Sequence, residues 1–332
     1  MNENVKEIID RVVEDVPRLR KKMIWEFDSR SMATVSAFLY ANAGKQTDIE
    51  RYMECKKYFN KHVNAFSQMR GIAKTILITK MSMQEDYASY LEGVTEVYKK
   101  LRNIHKLTAS PYMVLAAANI YEGGGLVKAD ENIEKLEELY KRMKGDHFWL
   151  TGDEDRPTLA LIVSHNMDAE AITNEINACY MAAKSLSFSK ESVHSAAQIL
   201  AFSGKSTEVK VSELKETLDC MKKAKVKGPK YELIPAIAAL GMIEKSPENK
   251  ADEIKEIYEY LRGQKGFKWY MANGERSLYS ILTYAIANMN GSNAVMSTVV
   301  STTITEIVIE EIILMIMIAS AVSRNASSSS SN

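Results

Sequence analysis

The sequence contains few residues that interrupt a helix. It has six Pro and 15 Gly among 332 residues, whereas the helix formers Ala, Leu, Lys, Glu and Met are frequent. No long run alternates apolar and polar residues, and no Asn-Gly pair lies between two strand-like runs, so the usual signals of a β-sheet are missing. These absences favour an all-α fold.

Cysteine is also scarce. The three cysteines, Cys55, Cys179 and Cys220, are odd in number, well separated and placed in helical patterns. This arrangement does not indicate a disulfide framework and is typical of a reducing compartment. The first 16 residues, "MNENVKEIIDRVVEDV", lack the hydrophobic stretch of a signal peptide. We therefore expect a cytoplasmic protein.

The chain has no surplus of charge of either sign. Its 43 Lys and Arg balance 43 Asp and Glu. Nucleic-acid binding needs a basic surplus or stripe, and a polybasic membrane anchor needs a basic cluster. The sequence therefore predicts neither a nucleic-acid partner nor a charged membrane anchor.

Apolar, Ala-rich helices alternate with charged helices along the whole sequence. The segment "YMVLAAANIY" (112–121), for example, precedes the charged segment "LEELYKRMK" (136–144). The charged helices share the form apolar-x-x-apolar-Tyr-x-x-apolar-Lys/Arg. The Tyr place of this form is filled in turn by Tyr58, Tyr98, Tyr140, Tyr180, Met221 and Tyr258. A period near 40 residues is typical of two-helix repeats, and we predict an α-solenoid or toroid of about seven helical hairpins.

A second pattern recurs about once every three hairpins. The three Trp of the chain each precede an acidic residue, an Arg and then an apolar helix. The residues of these Trp–acid–Arg elements are Trp25, Asp28 and Arg30, then Trp149, Asp155 and Arg156, then Trp269, Glu275 and Arg276. The spacing predicts that the hairpins are grouped in threes.

These two patterns together divide the chain into five segments. We expect a capping helix with the first element in 1–30, three hairpins in 31–155, three hairpins in 156–275, a final hairpin in 276–323 and a disordered Ser-rich tail in 324–332.

The repeat spacing, the acid–Arg element before an Ala-rich helix and the Ser-rich end resemble an uncharacterised bacterial family, a domain of unknown function, over nearly the whole chain. The resemblance implies an all-helical cytoplasmic protein. It supplies no activity, substrate or catalytic residue.

The Trp–acid–Arg elements have two interpretations. An acidic residue before a helix accepts from free N–H groups, and a Trp can fill the corner between hairpins, so the element can be structural. Alternatively, the three Arg and their acids face one concave surface and hold an anionic or peptidic ligand. We favour packing, because repeat proteins repeat structural residues.

Known catalytic and metal-binding motifs are absent from the sequence. The segment "SGKSTEV" (203–209) lacks the earlier Gly and the preceding strand of a phosphate-binding loop. The five His form no cluster with ligand spacing, and no Cys has a neighbouring His that would activate it. We expect no metal, no cofactor and no catalytic residue.

The C-terminal segment "TITEIVIEEIILMIMIASAVSRNASSSSSN" (303–332) combines an apolar helix with a polar tail. Its uninterrupted apolar run, 312–319, is far shorter than the roughly 18–20 residues that span a bilayer. We expect this helix to be buried against the terminal repeats, or to dock on a partner or on a second copy of the chain, and not to span a membrane.

These observations favour a non-catalytic helical-repeat protein that binds a protein or peptide. The alternative is an enzyme or a binder of a small anion or metabolite, with a pocket where the Trp–acid–Arg elements converge.

Overall fold

The computed structural model describes most of the chain up to Met289. The described residues are 1–24, 29–64, 67–71, 73–104, 110–146, 151–164, 168–186, 189–228, 230–265, 267 and 273–289. Within these residues the chain forms 14 α-helices, two short 3-10 helices and no strand. The predicted all-α fold is confirmed.

Two kinds of helix alternate along the chain. The odd-numbered helices, called covering helices here, are α1 (Glu3–Lys22), α3 (Ile49–His62), α5 (Tyr87–Ile104), α7 (Gly125–Asp146), α9 (Ala169–Ala183), α11 (Thr207–Lys223) and α13 (Pro247–Gly263). The even-numbered helices, called core helices, are α2 (Ser29–Asn42), α4 (Ala73–Ser82), α6 (Pro111–Glu122), α8 (Arg156–Ser164), α10 (Lys190–Leu200), α12 (Lys230–Leu240) and α14 (Asn273–Met289). The 3-10 helices Gln68–Arg70 and Asp153–Asp155 precede α4 and α8.

The core helices are buried on most sides, and their residues are mainly apolar. In α6, every residue from 113 to 120 is buried. The helix starts at Pro111, after the Ser110 hydroxyl accepts a hydrogen bond from the Met113 N–H at 3.3 Å. Both residues are favourable here, because the first N–H groups of a helix have no intrahelical acceptor: proline has no N–H at this position, and the serine oxygen accepts from a free N–H. A helix without a polar face must be covered by its neighbours.

The covering helices are amphipathic. In α13, Ile254, Ile257 and Leu261 are buried on one face, and the opposite face is charged. Ser246 caps this helix by accepting from the Asn249 N–H at 3.3 Å. One covering helix therefore shields the core helices beside it while its charged face meets water.

The core helices α2 and α4 run in the same direction. Ser36 in α2 hydrogen-bonds to Thr79 in α4 at 2.9 Å, and one turn later Tyr40 hydrogen-bonds to Ser82. The pairs advance together along both helices, which defines a parallel arrangement. Contacts also join α4 to α6, α6 to α8, α10 to α12 and α12 to α14.

The two ends of the described chain pack against each other. The Asn4 side-chain amide donates to the Ala287 carbonyl at 2.6 Å, and the Tyr260 hydroxyl donates to the Asp10 carboxylate. The ring of Phe38 in α2 stacks on the ring of Tyr279 in α14, with 5.5 Å between centroids. Helices α13 and α14 therefore contact α1 and α2.

Buried apolar side chains form one cluster that extends from Val5 to Ala287. No helix among the described residues is both long and apolar enough to cross a membrane. The predicted apolar helix within 303–332 and the Ser-rich tail lie outside the described residues.

Candidate functional site

The second Trp–acid–Arg element places its arginine in the interior. Arg156 is the first residue of α8 and is 3% exposed. Its Nη1 donates to Glu137 at 2.8 Å, its Nε donates to Asp153 at 3.1 Å, and its guanidinium carbon lies 4.0 Å from the centre of the Tyr140 ring. Two carboxylates and an aromatic face compensate a buried guanidinium. Arg156 therefore joins α7 to α8.

Asp155, in the same element, connects to the next core helix. One carboxylate oxygen accepts from the Gly152 N–H at 2.9 Å, and the other accepts from the Gln198 amide of α10 at 2.8 Å. The His194 Nδ1 lies 3.7 Å from that second oxygen. Asp155 therefore joins the 3-10 helix before α8 to α10.

The third element also places its arginine in the interior. Arg276 is 3% exposed, and its Nη2 donates to the Phe267 carbonyl at 2.9 Å. Its Nη1 donates to the Asn273 side-chain oxygen at 3.1 Å and to the Tyr258 hydroxyl at 3.3 Å, and its guanidinium lies 5.2 Å from the centre of that ring. Glu275 is partly exposed in the first turn of α14.

The first element is described only in part. Arg30 is partly buried at the second position of α2. The remaining predicted site residues, Trp25, Asp28, Trp149 and Trp269, lie outside the described residues.

The structure brings together two patterns that the sequence analysis treated separately. Tyr140 and Tyr258, from the repeated Tyr place, each receive the arginine of a Trp–acid–Arg element, Arg156 or Arg276. Arg156 lies between α7 and α8, whereas Arg276 lies between α13 and α14. Each arginine is held by residues of its own helix pair.

Sequence reasoning missed a lysine contact at the opposite ends of the core helices. Lys205 lies in the turn that follows α10. Its Nζ donates to both Glu213 oxygens at 2.8 Å and to the Gly241 carbonyl, at the end of α12, at 2.9 Å. A cation at a helix C-terminus satisfies carbonyls that lack an intrahelical donor. Lys245, 40 residues later, pairs with Glu253 at 2.7 Å.

Two further lysines near these contacts are buried. Lys210 donates to Glu175 at 2.5 Å, and this hydrogen bond lowers the pKa of Glu175. Lys250 is 2% exposed, and its burial lowers its pKa to about 8. The Glu213 carboxylate opposes this shift, and Lys205 adds to it.

A sequence signal for this lysine group exists. The segments "KSTEVKVSEL" (205–214) and "KSPENKADEI" (245–254) share the form Lys-Ser-x-Glu-x-Lys-x-x-Glu-apolar, 40 residues apart. Both serines are helix N-cap residues. A comparison of these two segments would have identified the lysines.

An open groove runs along α7. It has a volume of about 750 Å³, and it is lined by Ile104, Asp130, Ile133, Glu134, Glu137, Glu138, Lys141 and Arg142. Ile104, at the end of α5, is 53% exposed. Lys100 pairs with Asp130 at 2.7 Å, and Arg142 pairs with Glu138 at 2.9 Å. Glu134 has no ion-pair partner among the described residues.

A smaller cavity of about 410 Å³ lies between the ends of α11 and α13 and the start of α14. Its charged lining residues are Lys225, Lys227, Lys255, Glu259 and Arg262, and its neutral ones are Tyr258 and Asn273. Neither the groove nor this cavity is lined by Arg30, Arg156 or Arg276.

The cysteines and acidic groups show no arrangement for nucleophilic or metal chemistry within the described residues. Burial raises the pKa of Cys55 to about 11 and that of Cys179 to about 12, and both thiols are buried. A thiol with a raised pKa is a poor nucleophile near neutral pH. In the same part of the chain, no group of three or more His, Cys, Asp or Glu residues could hold a metal ion.

Comparison with known proteins gives two matches. A family model described as "Protein of unknown function (DUF4003)" matches residues 17–312. An "Uncharacterized protein YeaA" from Bacillus subtilis (strain 168) is 22% identical over 257 residues, which cover 76% of this chain and 76% of that protein. No solved structure matches the chain.

Proposed function

Since the chain belongs to a family of proteins of unknown function, DUF4003, we propose its role from its geometry: it is a non-catalytic helical-repeat protein that binds a protein or peptide partner. The observation that supports this proposal is the groove along α7. From Asp130 to Arg142 the groove follows α7 for about 18 Å, at 1.5 Å per residue. That length accommodates about three turns of a partner helix, or a short extended peptide.

The lining of the groove defines the kind of partner. Ile104 and Ile133 provide an apolar strip, which suits an aliphatic or aromatic anchor. Most lining carboxylates already have cationic partners, and Glu134 is the exception among the described residues. The matching partner segment is therefore amphipathic, with an apolar anchor and a basic residue placed to meet Glu134.

The architecture that presents this groove is proposed to be a toroid of seven helix pairs. Support comes from the contacts of α13 and α14 with α1 and α2, which bring the last pair against the first. N-cap residues of covering helices at Asp48, Asp168, Ser206 and Ser246 are consistent with a period near 40 residues. The three cysteines are unpaired, which is consistent with the proposed cytoplasmic location.

The alternative role, a ligand pocket at the converging Trp–acid–Arg elements, receives less support. Arg156 and Arg276 are buried, and their guanidinium groups are occupied by protein carboxylates, carbonyls and tyrosine rings. An arginine with these partners acts in packing.

A peptide selection tests the proposed groove. Peptides displayed on phage are selected on the wild-type chain and then measured against the variants Ile104→Asp and Val127→Asp. Val127 is the matched control, because it is an apolar residue of α7 that is 97% exposed and does not line the groove. We expect Ile104→Asp to weaken the selected peptides by about tenfold or more, because a charge replaces the apolar anchor site.

Val127→Asp should leave binding unchanged. Circular dichroism of both variants checks that they are folded. Peptides that bind Ile104→Asp as tightly as the wild type would show that the groove is not the binding surface.

A further inference from the structure

The cavity between α11, α13 and α14 has a local surplus of positive charge in a chain whose net charge is zero. Four cations line it: Lys225, Lys227, Lys255 and Arg262. The one lining carboxylate, Glu259, already pairs with Lys255 at 2.5 Å and with Arg262 at 3.2 Å. The surplus charge is therefore carried mainly by the other two lysines.

Lys225 and Lys227 have no carboxylate partner among the described residues. They belong to the turn that follows α11, and the Ser277 hydroxyl of α14 fixes this turn by donating to the Lys227 carbonyl at 2.6 Å. The two ammonium groups are thus presented by a backbone that is anchored to the core helix across the cavity.

The backbone of Lys225 adopts a conformation that favours glycine. Its φ is 60°, and it is the one non-glycine residue with positive φ in the described part of the chain. The Lys225 N–H donates to the Lys222 carbonyl at 3.1 Å, and the Val226 N–H donates to the Met221 carbonyl at 3.0 Å, which is the pattern of a helix end that usually contains Gly at this position. A lysine in this strained place indicates that its side chain has a use.

Tyr258 and Asn273 provide the neutral part of the lining. The Asn273 side-chain oxygen accepts from the Tyr258 hydroxyl at 3.0 Å and from Arg276 at 3.1 Å. Its side-chain NH₂ has no partner among the described residues and can donate to a ligand. The buried Arg276 is therefore a positioning residue that holds this donor at the cavity.

We propose that this cavity binds a small, multiply charged anion of the phosphate-ester or diphosphate class. Its volume of about 410 Å³ lies within the roughly 300–1,000 Å³ of small-molecule sites. Such sites are mostly apolar, whereas this one is polar and cationic, which fits a ligand of high charge density. Arg262 offers a planar fork of donors, and the lysines supply charge. The proposal does not depend on the peptide groove, which lies on other helices.

Inorganic pyrophosphate is the probe for the first experiment. Thermal unfolding of the full chain is followed at increasing pyrophosphate concentration, with sodium chloride added to hold ionic strength constant. We expect a saturable rise in melting temperature for the wild type. The double variant Lys225→Ala/Lys227→Ala should bind about a hundredfold more weakly, because it loses two charge-assisted contacts, each worth about a factor of ten.

The matched control is Lys215→Ala, which removes an exposed lysine of α11 that does not line the cavity. It should respond to pyrophosphate as the wild type does. An equal loss of response in Lys215→Ala, an unchanged response in the double variant, or no saturable response in the wild type would each overturn the proposal. Saturable binding of an acidic peptide without a response to pyrophosphate would also overturn it.

The variant Lys225→Gly distinguishes a role of the Lys225 side chain in binding from its effect on the backbone. Glycine relieves the positive φ, so the unliganded variant should melt at a higher temperature than the wild type, while its affinity for pyrophosphate falls about tenfold. A variant that is more stable and binds pyrophosphate as tightly as the wild type would show that Lys225 is not part of a binding site.

Discussion

Lys250 is buried in α13 with no hydrogen-bonded carboxylate among the described residues. Its pKa is lowered to about 8 because burial disfavours the charged form. Between this value and the ordinary value of 10.5, the unfolded chain binds more protons than the folded chain at this residue. The contribution of Lys250 to the free energy of unfolding therefore rises with pH from about 8 to about 10.5.

We predict that Lys250→Met removes this pH dependence and stabilises the protein at pH 7 by about 1–3 kcal/mol, since an apolar side chain of similar size has no charge to bury. Urea unfolding at pH 7 and at pH 9.5 measures the effect, and the gain should shrink at the higher pH. Lys215→Met, at an exposed site, is the control. A variant that is equally destabilised at both pH values would show that the ammonium group has a structural partner.

Arg156 is buried and pairs with two partly buried carboxylates, those of Glu137 and Asp153. Arg156→Ala leaves Glu137 and Asp153 without their cation and exposes the Tyr140 ring to a cavity, so we predict a loss of about 3–5 kcal/mol in the free energy of unfolding. Arg142→Ala, which breaks a surface pair with Glu138 on the same helix, should cost less than about 1 kcal/mol. Chemical denaturation of both variants distinguishes them, and similar costs would contradict the packing interpretation of Arg156.

At the scale of the helix, apolar periodicity predicted the elements well. The segment 112–121 corresponds to α6 (Pro111–Glu122), and its Ser-Pro start and following Gly mark its ends. These signals are local, so they can be read from neighbouring residues. The contact of Tyr140 with Arg156 is not local, because it depends on how α7 packs against α8, which neighbouring residues do not reveal.

The register that the N-caps give for α11 differs from the one that the sequence pattern predicts. The sequence pattern placed Met221 in the Tyr place, but the N-caps Ser206 and Ser246 align Leu218 with Tyr258 and Met221 with Leu261. The pattern of apolar residues alone allows a slip of one turn, since residues three and four apart share a face. The N-cap serines and the matching lysines of the segments 205–214 and 245–254 fix the register between α11 and α13.

Asn119 connects three core helices. It is 1% exposed, accepts from the Lys80 Nζ at 3.2 Å and donates to the Pro157 carbonyl at 3.0 Å. We predict that Asn119→Ala costs about 2–3 kcal/mol, because it leaves a buried ammonium and a buried carbonyl with one partner fewer. Asn174→Ala on the exposed face of α9 is the control, and thermal unfolding is the measurement. An equal, small effect of both substitutions would mean that the Asn119 contacts do not hold the helices together.

At the scale of the whole molecule, α1 is shared between the first and the last helix pairs. We predict that Ile9→Ala, a buried substitution in α1 that costs about 2–5 kcal/mol, increases amide hydrogen exchange in α13 and α14 as well as in α2. Exchange read by mass spectrometry tests this prediction. Increased exchange confined to α1, α2 and α3 would indicate that the ends of the chain do not stabilise each other.

The C-terminal segment 303–332 stays a prediction, because it lies outside the described residues. Truncation after Ser301 should lower the melting temperature or change the oligomeric state, since the segment supplies an apolar helix that needs cover. Calorimetry and size-exclusion chromatography measure the two outcomes. A monodisperse truncated protein with unchanged unfolding would refute this role, and recovery of the full chain only with membranes would favour an anchor.

The contact between Asn4 and Ala287 joins residues from opposite ends of the described part of the chain. During synthesis, α1 leaves the ribosome before the other described helices, and each new helix pair can pack on the one before it. The surface of α1 that meets α13 and α14 stays uncovered until those two helices have been translated. We therefore expect the nascent protein to expose this apolar surface until α13 and α14 are made, so that chaperones that bind such surfaces would act on it and slow translation of these helices would favour aggregation.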